Sequence, residues 1–403
     1  PIKMLSQAMI SMGWLSDEEL EAMNGAVKNK LDTAMQFSEA SPAPDPAELE
    51  TDVYAPSNFT IKDIEEEAKL RQKVTADASM RVISYAEAIQ EALREEMQRD
   101  GRVFLMGEDI GLYGGAYGAT RGLFKEFGQW RVIDTPISEA TIAGAAVGAS
   151  MAGMRPVAEI MYVDFTPLAM DQIANQGAKN RYMFGGKTIV PMVIRTEGGA
   201  GRAIAAHHSQ SLESLWTHFP GIYVVMPSTP YDVKGLLKAS IRDNNPIMFI
   251  EHKMLYKTKG RVPQEDYIIP LGIADVKREG KDVTIVTYSR QVLNALEAAQ
   301  ILAEEGIQAE VIDLRCLKPL DIETVVNSIK KTGRFVGVTE SYENTSFINE
   351  VMALVNELAF DWLDAPMMRV AAANVPIPRA EVLENLAIPD VEKIVAACRK
   401  VVS

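Results

Sequence analysis

Four kinds of side chain in this sequence could do chemistry, and they recur where apolar runs give way to turns. Glu139 lies in Asp134-Thr-Pro-Ile-Ser138-Glu139, just where a short apolar run, Val132–Ile133, turns into an Ala/Gly-rich segment. Glu108 follows the apolar run Arg102–Met106, Asp164-Phe165 follows Arg155–Met161, and the tandem His207-His208 closes a Gly-rich loop after Met192–Arg195. Carboxyls and imidazoles hold and transfer protons, and histidine does so near neutral pH. Each also has a plain reading. Glu139 in the first turn of a helix is stabilised by the helix dipole by about 0.3–1 kcal/mol whatever else it does. Taken alone, Phe165 reads as core packing, Glu108 as a solvated loop carboxylate and His207-His208 as surface. The Met-rich helical faces read as core.

The elements that must position these residues alternate between strand and helix. Met80–Ile83 reads as a strand, and Ser84-Tyr-Ala-Glu87 as a capping box opening a helix with Ala88, Ile89, Ala92, Leu93 and Met97 inward. Strands follow at Arg102–Met106, Val132–Ile133, Arg155–Met161, Met192–Arg195, Tyr223–Met226 and Met248–Ile250. Helices are expected from Ser138, as N-cap, onward, through Met170, Ile173 and Ala174, and at Tyr231–Ile241. This alternation means a mostly parallel sheet covered by helices, in which ligands sit at the carboxyl ends of strands. Glu108, Glu139, Asp164-Phe165 and the His207-His208 loop all fall at that rim. The loop Gly111–Gly118 matches neither a dinucleotide turn nor a phosphate loop. The loop Thr196–Arg202 is mobile by composition.

A smaller α/β region follows the Lys/Gly/Pro-rich loop Lys253–Pro270. Its strands are Val283–Tyr288, Ala309–Leu314, Phe335–Thr339 and Arg369–Ala371, and its helices Gln291–Glu304, Phe347–Leu358 and Val391–Val402. Before the first sheet comes an acidic arm. Pro1–Leu15 reads as the end of a helix, and Ser16-Asp-Glu-Glu19 caps a second whose stripe Leu20, Met23, Val27, Leu31, Met35 needs another body to lie on. Ser41-Pro-Ala-Pro-Asp-Pro46 blocks helix. Asn58–Lys73 is expected as a solvated linker or loose helix, with a boundary near Ala76–Ser79. The domains are therefore 1–76, 77–260 and 261–403.

Composition narrows the function classes. At 403 residues, 47% hydrophobic and 24% charged, this is an ordinary globular chain of two or three domains. The net charge of −14 argues against a nucleic-acid surface, and 14 acidic against 3 basic residues between Ser16 and Glu67 carry most of it. No apolar run is long enough to span a membrane. Two cysteines, Cys316 and Cys398, give no disulfide framework and no metal spacing, which fits a reducing, cytoplasmic setting. A start at Pro1, not Met, suggests a piece of a longer product or a processed chain.

The run Asp134-Thr-Pro-Ile-Ser-Glu139-Ala, together with Phe165, His208-Ser-Gln210, Ile241-Arg-Asp-Asn-Asn-Pro246 and Leu314-Arg-Cys-Leu-Lys-Pro-Leu-Asp321, resembles the E1 β subunit of thiamine diphosphate-dependent 2-oxoacid dehydrogenase complexes over Met80–Val402. Val225-Met-Pro-Ser-Thr-Pro230, Glu251-His-Lys253 and Met183-Phe-Gly-Gly186 lean toward the acetoin dehydrogenase branch, ahead of pyruvate and branched-chain 2-oxoacids. Gly13–Leu20, Phe37–Pro46 and Asp52-Val-Tyr-Ala55 are similar to the C-terminal tail of the E1 α subunit. The resemblance implies a transketolase-like pyrimidine-binding domain and a transketolase C-terminal domain after a helical arm.

It also implies roles. Glu139 protonates the aminopyrimidine ring of thiamine diphosphate, and desolvation against an apolar coenzyme favours its protonated form. Phe165 stacks on that ring, Glu108 belongs to an acidic network linking two active sites, and His208 serves the substrate and the incoming lipoyl group as a general acid. His207 stands where the family often has Gln. Met192, Asp243 and Asn245 would offer backbone carbonyls to K⁺. The Gly-Asp-Gly and Asn-pair motif that holds the diphosphate through Mg²⁺ is absent, so the coenzyme needs an E1 α partner. A second β copy, the E2 acyltransferase and a small-molecule substrate complete the implied set. The alternatives are half of another transketolase-type enzyme, such as a deoxyxylulose-phosphate synthase, or a non-catalytic assembly subunit.

Overall fold

Short capping signals start the helices. The computed structural model describes residues 1–403, which divide into two compact units, Pro1–Thr51 and Asp52–Ser403. The first unit carries α1 (Ile2–Ser11) and α2 (Asp17–Ala40). At the start of α2 the Ser16 hydroxyl accepts from the Glu19 N–H at 3.1 Å, and the Glu19 carboxylate accepts from the Ser16 N–H at 2.8 Å. The stripe Met23, Val27, Leu31 and Met35 lies exposed.

The second unit begins by docking its own leading segment. Tyr54 stacks on Tyr223 with ring centroids 5.0 Å apart, and the Asn245 side chain pairs with both main-chain groups of Ala55 at 2.7 and 3.2 Å. The run Asn58–Lys73, expected to be solvated or loose, is instead a capped helix, α3 (Ile61–Ala76). Glu67 is buried against the fully buried Arg315, which also holds Asp232 and Asp275, and Arg71 pairs with Asp275. Charge that reads as solvent-seeking is here consumed in a buried network.

Alternating strands and helices follow as read: β1 (Val82–Ser84), α4 (Tyr85–Arg99), β2 (Val103–Gly107), α5 (Leu123–Phe127), β3 (Val132–Asp134), α6 (Glu139–Met151), β4 (Arg155–Tyr162), α7 (Asn180–Met183), β5 (Val193–Gly198), α8 (Glu213–Thr217), β6 (Tyr223–Val225), α9 (Pro230–Arg242), β7 (Ile247–His252) and β8 (Lys259–Arg261). The helix expected after Tyr162 is two irregular pieces, a 3₁₀ segment Val163–Ala169 interrupted by Pro167 and a π-type segment Asp171–Gly177. The later region contributes β9 (Asp275–Arg278), β10 (Val283–Thr287), α10 (Gln291–Glu304), β11 (Ala309–Asp313), β12 (Cys316–Lys318), α11 (Ile322–Thr332), β13 (Phe335–Tyr342), α12 (Phe347–Ala359), β14 (Met368–Ala372), α13 (Glu381–Ala387) and α14 (Val391–Val402).

Two sheets form the body. One has the order β12-β6-β7-β5-β4-β2-β3, parallel except for β12, and the other β14-β13-β10-β11-β9, parallel except for β9. Strand β1 does not join the main sheet; it pairs with β8 as a separate two-stranded ribbon. Strand β12, from the later region, closes the edge of the earlier sheet. No helix is long and apolar enough to cross a membrane.

Candidate active site

Parallel pairing puts the ends of β3, β2, β4, β5 and β7 side by side, and the reactive side chains stand just past them. The β2–β4 approach is close: a Cβ on Gly107 would meet the Glu159 carbonyl. Glu108 is half-buried there. Burial, then the charge of Glu139, raises its pKa above the ordinary carboxylate range. The two acids named from the sequence therefore lie close enough at the rim for the charge of one to bear on the other. Asp134, at the end of β3, accepts from the Gly111 N–H at 2.6 Å and ties down the Gly-rich loop.

Glu139 opens α6 and is half-buried. The expected N-cap differs: Ser138 makes no capping bond to the main chain, its hydroxyl lying 2.8 Å from that of Thr141. Ile137 beside it is 81% exposed, so the start of α6 presents an apolar side chain two residues from its acid.

Phe165 is half-buried, packed against the core that includes Ile142, Ile160 and Val163. Its ring meets Tyr162 edge-on at 5.8 Å and His208 at 5.5 Å, and Tyr162 meets His208 at 4.8 Å. His208 is thus brought to Phe165, whereas His207 is exposed. Gln210 donates through its side chain to Asp164 at 2.9 Å, joining the same two loops. The Thr196–Arg202 loop, read as mobile, is anchored: Gly199 donates to the Gln210 carbonyl at 2.8 Å, and Lys253 donates to the His208 carbonyl.

Several charged residues beneath the rim were not singled out from the sequence. Arg195 bonds Glu159 at 2.6 Å and Glu251 at 2.7 and 2.9 Å, and the Tyr256 hydroxyl donates to Glu251 at 2.6 Å. Glu197 is buried with Oε1 unpartnered, and burial pushes its pKa well up. Lys253, over the Tyr162 ring at 5.0 Å, is pushed down by its own burial. The signal was available: ionic residues interrupt three neighbouring apolar strands at Glu159, Arg195 and Glu251. His252 Nδ1 accepts from the Met254 N–H at 3.1 Å, so Nε2 carries the proton facing Glu340 at 3.1 Å. Burial lowers the pKa of that ring, keeping it neutral.

The carbonyls named for K⁺ lie elsewhere, below the sheet. The Met192 carbonyl accepts from the Ile247 N–H at 2.9 Å, and the Asp243 carbonyl from the Arg155 guanidinium at 2.7 Å. The Asn245 side chain is taken up by Ala55 and Asp243. No group of three or more His, Cys, Asp or Glu is placed to hold a metal ion.

Aromatic surface and carboxyls gathered at one rim suit an aromatic ring with a basic nitrogen. Residues 81–259 match the transketolase pyrimidine-binding domain and residues 272–394 the transketolase C-terminal domain. The acetoin:2,6-dichlorophenolindophenol oxidoreductase subunit beta of Bacillus subtilis is 49% identical over 78% of this chain and 96% of that protein. The mitochondrial pyruvate dehydrogenase E1 component subunit beta of Dictyostelium discoideum is 46% identical over 81% and 93%. The 2-oxoisovalerate dehydrogenase subunit beta of Bacillus subtilis is 46% identical over 80% and 99%. Among solved structures, a split-gene transketolase described as an inactive β4 tetramer superposes with a TM-score of 0.65 at 26% identity, over 79% of this chain and 98% of that one.

Proposed function

The chain belongs to the transketolase-type family of thiamine diphosphate enzymes, among the E1 β subunits of acetoin, pyruvate and branched-chain 2-oxoacid dehydrogenases, and from that premise we propose that Glu108, Glu139, Phe165 and His208 form the pyrimidine side of an active site completed by an E1 α partner. The observation that carries this is that Glu108 and Glu139 stand past the neighbouring parallel strands β2 and β3, at the same sheet rim where Phe165 and His208 meet.

When bound, thiamine diphosphate supplies the nucleophilic carbon that cleaves a C–C bond of the substrate. Glu139 would hold the proton that the aminopyrimidine ring nitrogen needs and receive it back. Glu108 would stand beside it as the second acid of the rim. Phe165, clamped edge-on by Tyr162 and His208, fixes the plane on which the ring lies. His208 moves a proton at the lipoyl sulfur when the acyl unit departs, its backbone steadied by Lys253. A partner chain covering Ile137 and Leu168 completes the desolvation of Glu139, and Mg²⁺ with the diphosphate is held by that partner.

The reading extends further. Residues 1–76 are an E1 α-like tail and linker, 77–260 the pyrimidine-binding domain and 261–403 the C-terminal domain. A second β copy and an E2 acyltransferase are further partners, in a cytoplasmic setting where the buried thiols Cys316 and Cys398 stay free. A potassium ion at Met192, Asp243 and Asn245 would have to use carbonyl lone pairs left over by Ile247 and Arg155, and no step here depends on it.

The substrate order is acetoin, then pyruvate, then 3-methyl-2-oxobutanoate, tested by dye reduction with each. The central test is Glu139→Gln in the assembled E1, followed by deuterium exchange at the coenzyme's reactive carbon. Loss of a positioned proton donor slows such steps by roughly 10²–10⁴-fold. Exchange at the wild-type rate with coenzyme bound would leave only a scaffold role.

A further inference from the structure

The loop that carries His208 is bent in a way its own sequence does not favour. Gly199 and Gly201 have φ of +84° and +104°, and Ala203 and Ala205, which carry a Cβ, have +52° and +66°. An L residue holds the left-handed region only where its surroundings impose it. The surroundings are on the C-terminal domain. Glu384, on α13, accepts from the Gly201 N–H at 2.9 Å with one carboxylate oxygen and from the Ala203 N–H at 2.8 Å with the other. Glu340, at the end of β13, accepts from the Ala200 N–H at 2.6 Å. Ala200 itself packs among Ile377, Ala387 and Ile388.

Glu384 is 1% exposed and pairs with no Lys, Arg or His. A carboxylate buried without a counter-ion is costly, and an apolar side chain would fill the same space at less cost. What the carboxylate alone provides is a two-pronged acceptor that fixes two successive left-handed corners, five residues before His208. At the other end Lys253 holds the His208 carbonyl.

We propose that Glu384 is a positioning residue: it acts from the second domain to set the loop that presents His208 to Tyr162 and Phe165. The inference rests on the role given to His208 above, and its test separates the two.

The Arg202 side chain is exposed, so the loop can be probed in the full chain by trypsin cleavage after Arg202. In Glu384→Gln, whose amide turns a donor toward one of the two N–H groups, cleavage there should accelerate at least tenfold. His208→Ala should leave it unchanged. In the E1 assembled with its α partner, transfer to a lipoyl domain should fall at least fivefold relative to dye reduction in Glu384→Gln. Adding His208→Ala should lower that ratio no further. Should Glu384→Gln not fold, Glu384→Asp keeps the charge but shortens the reach, and should show the same effects in smaller measure. Unchanged cleavage at Arg202, or an equal fall in both activities, overturns the proposal. Accelerated cleavage combined with a ratio that His208→Ala alone, with Glu384 intact, leaves at the wild-type value upholds the Glu384 clamp and removes the role assigned to His208.

Discussion

Glu197 shows how one residue can set the cost of a site. Its carboxyl is buried at the end of β5 with one oxygen unpartnered, and burial raises its pKa well above the ordinary carboxylate range. The folded chain therefore keeps a proton that the unfolded chain gives up, so stability is lost as pH rises from the ordinary carboxylate range toward the folded value. Glu197→Gln, which cannot ionise, should flatten the fall of melting temperature with pH above about pH 5, a boundary set by the reference carboxylate pKa. A parallel slope in both proteins would mean that some other group governs it. Glu139, Phe165 and His208 could be placed at one sheet rim from the strand pattern, while the roles proposed for them come from the resemblance and not from their local sequence. Glu197 and Glu384 were not legible, because nothing local marks a carboxylate whose partners, or lack of them, arise only on folding.

Elements were legible where their periodicity was clean. The inward face of α4, Ala88, Ile89, Ala92, Leu93 and Met97, is buried as read, and its capping box forms. Helix α3 was misjudged because charge density alone does not reveal whether the charges find each other. Its anchor can be tested. Arg315→Ala leaves Asp232, Asp275 and Glu67 buried without their shared cation, and removing one partner of such a network costs about 3–5 kcal/mol. Denaturant titration measures this, and a change below about 1 kcal/mol would show that Lys277 and Arg71 suffice. Gly199→Ala tests the loop's geometry. The position has φ of +84°, and an added Cβ runs into the His252 ring, so a loss of about 1–3 kcal/mol is expected.

At the scale of the molecule, the chain displays more apolar surface than a finished assembly should. Ile137, two residues before Glu139, and Leu168 are exposed, Phe360 and Trp362 stand out beyond α12, and Val382, Leu383 and Leu386 face outward on α13. Purified alone, the protein should form a homo-oligomer without measurable dye reduction on acetoin or pyruvate. Adding an E1 α partner should bring the activity up, with a matching shift in sedimentation. Activity without a partner would refute the shared-site reading. Domain order is legible from strand and helix alternation, but the crossing of β12 is not. Three residues are too short a run to announce a strand, and their partner, β6, lies far back in the chain. That crossing limits how such genes can be cut and rejoined. A breakpoint in the Lys253–Pro270 loop, between the two lobes in sequence, would strip an edge strand from the earlier sheet and bare β6 to any passing chain. A breakpoint just beyond Lys318 would instead divide the second sheet between its neighbours β10 and β13, so the two lobes are inherited as a single parcel.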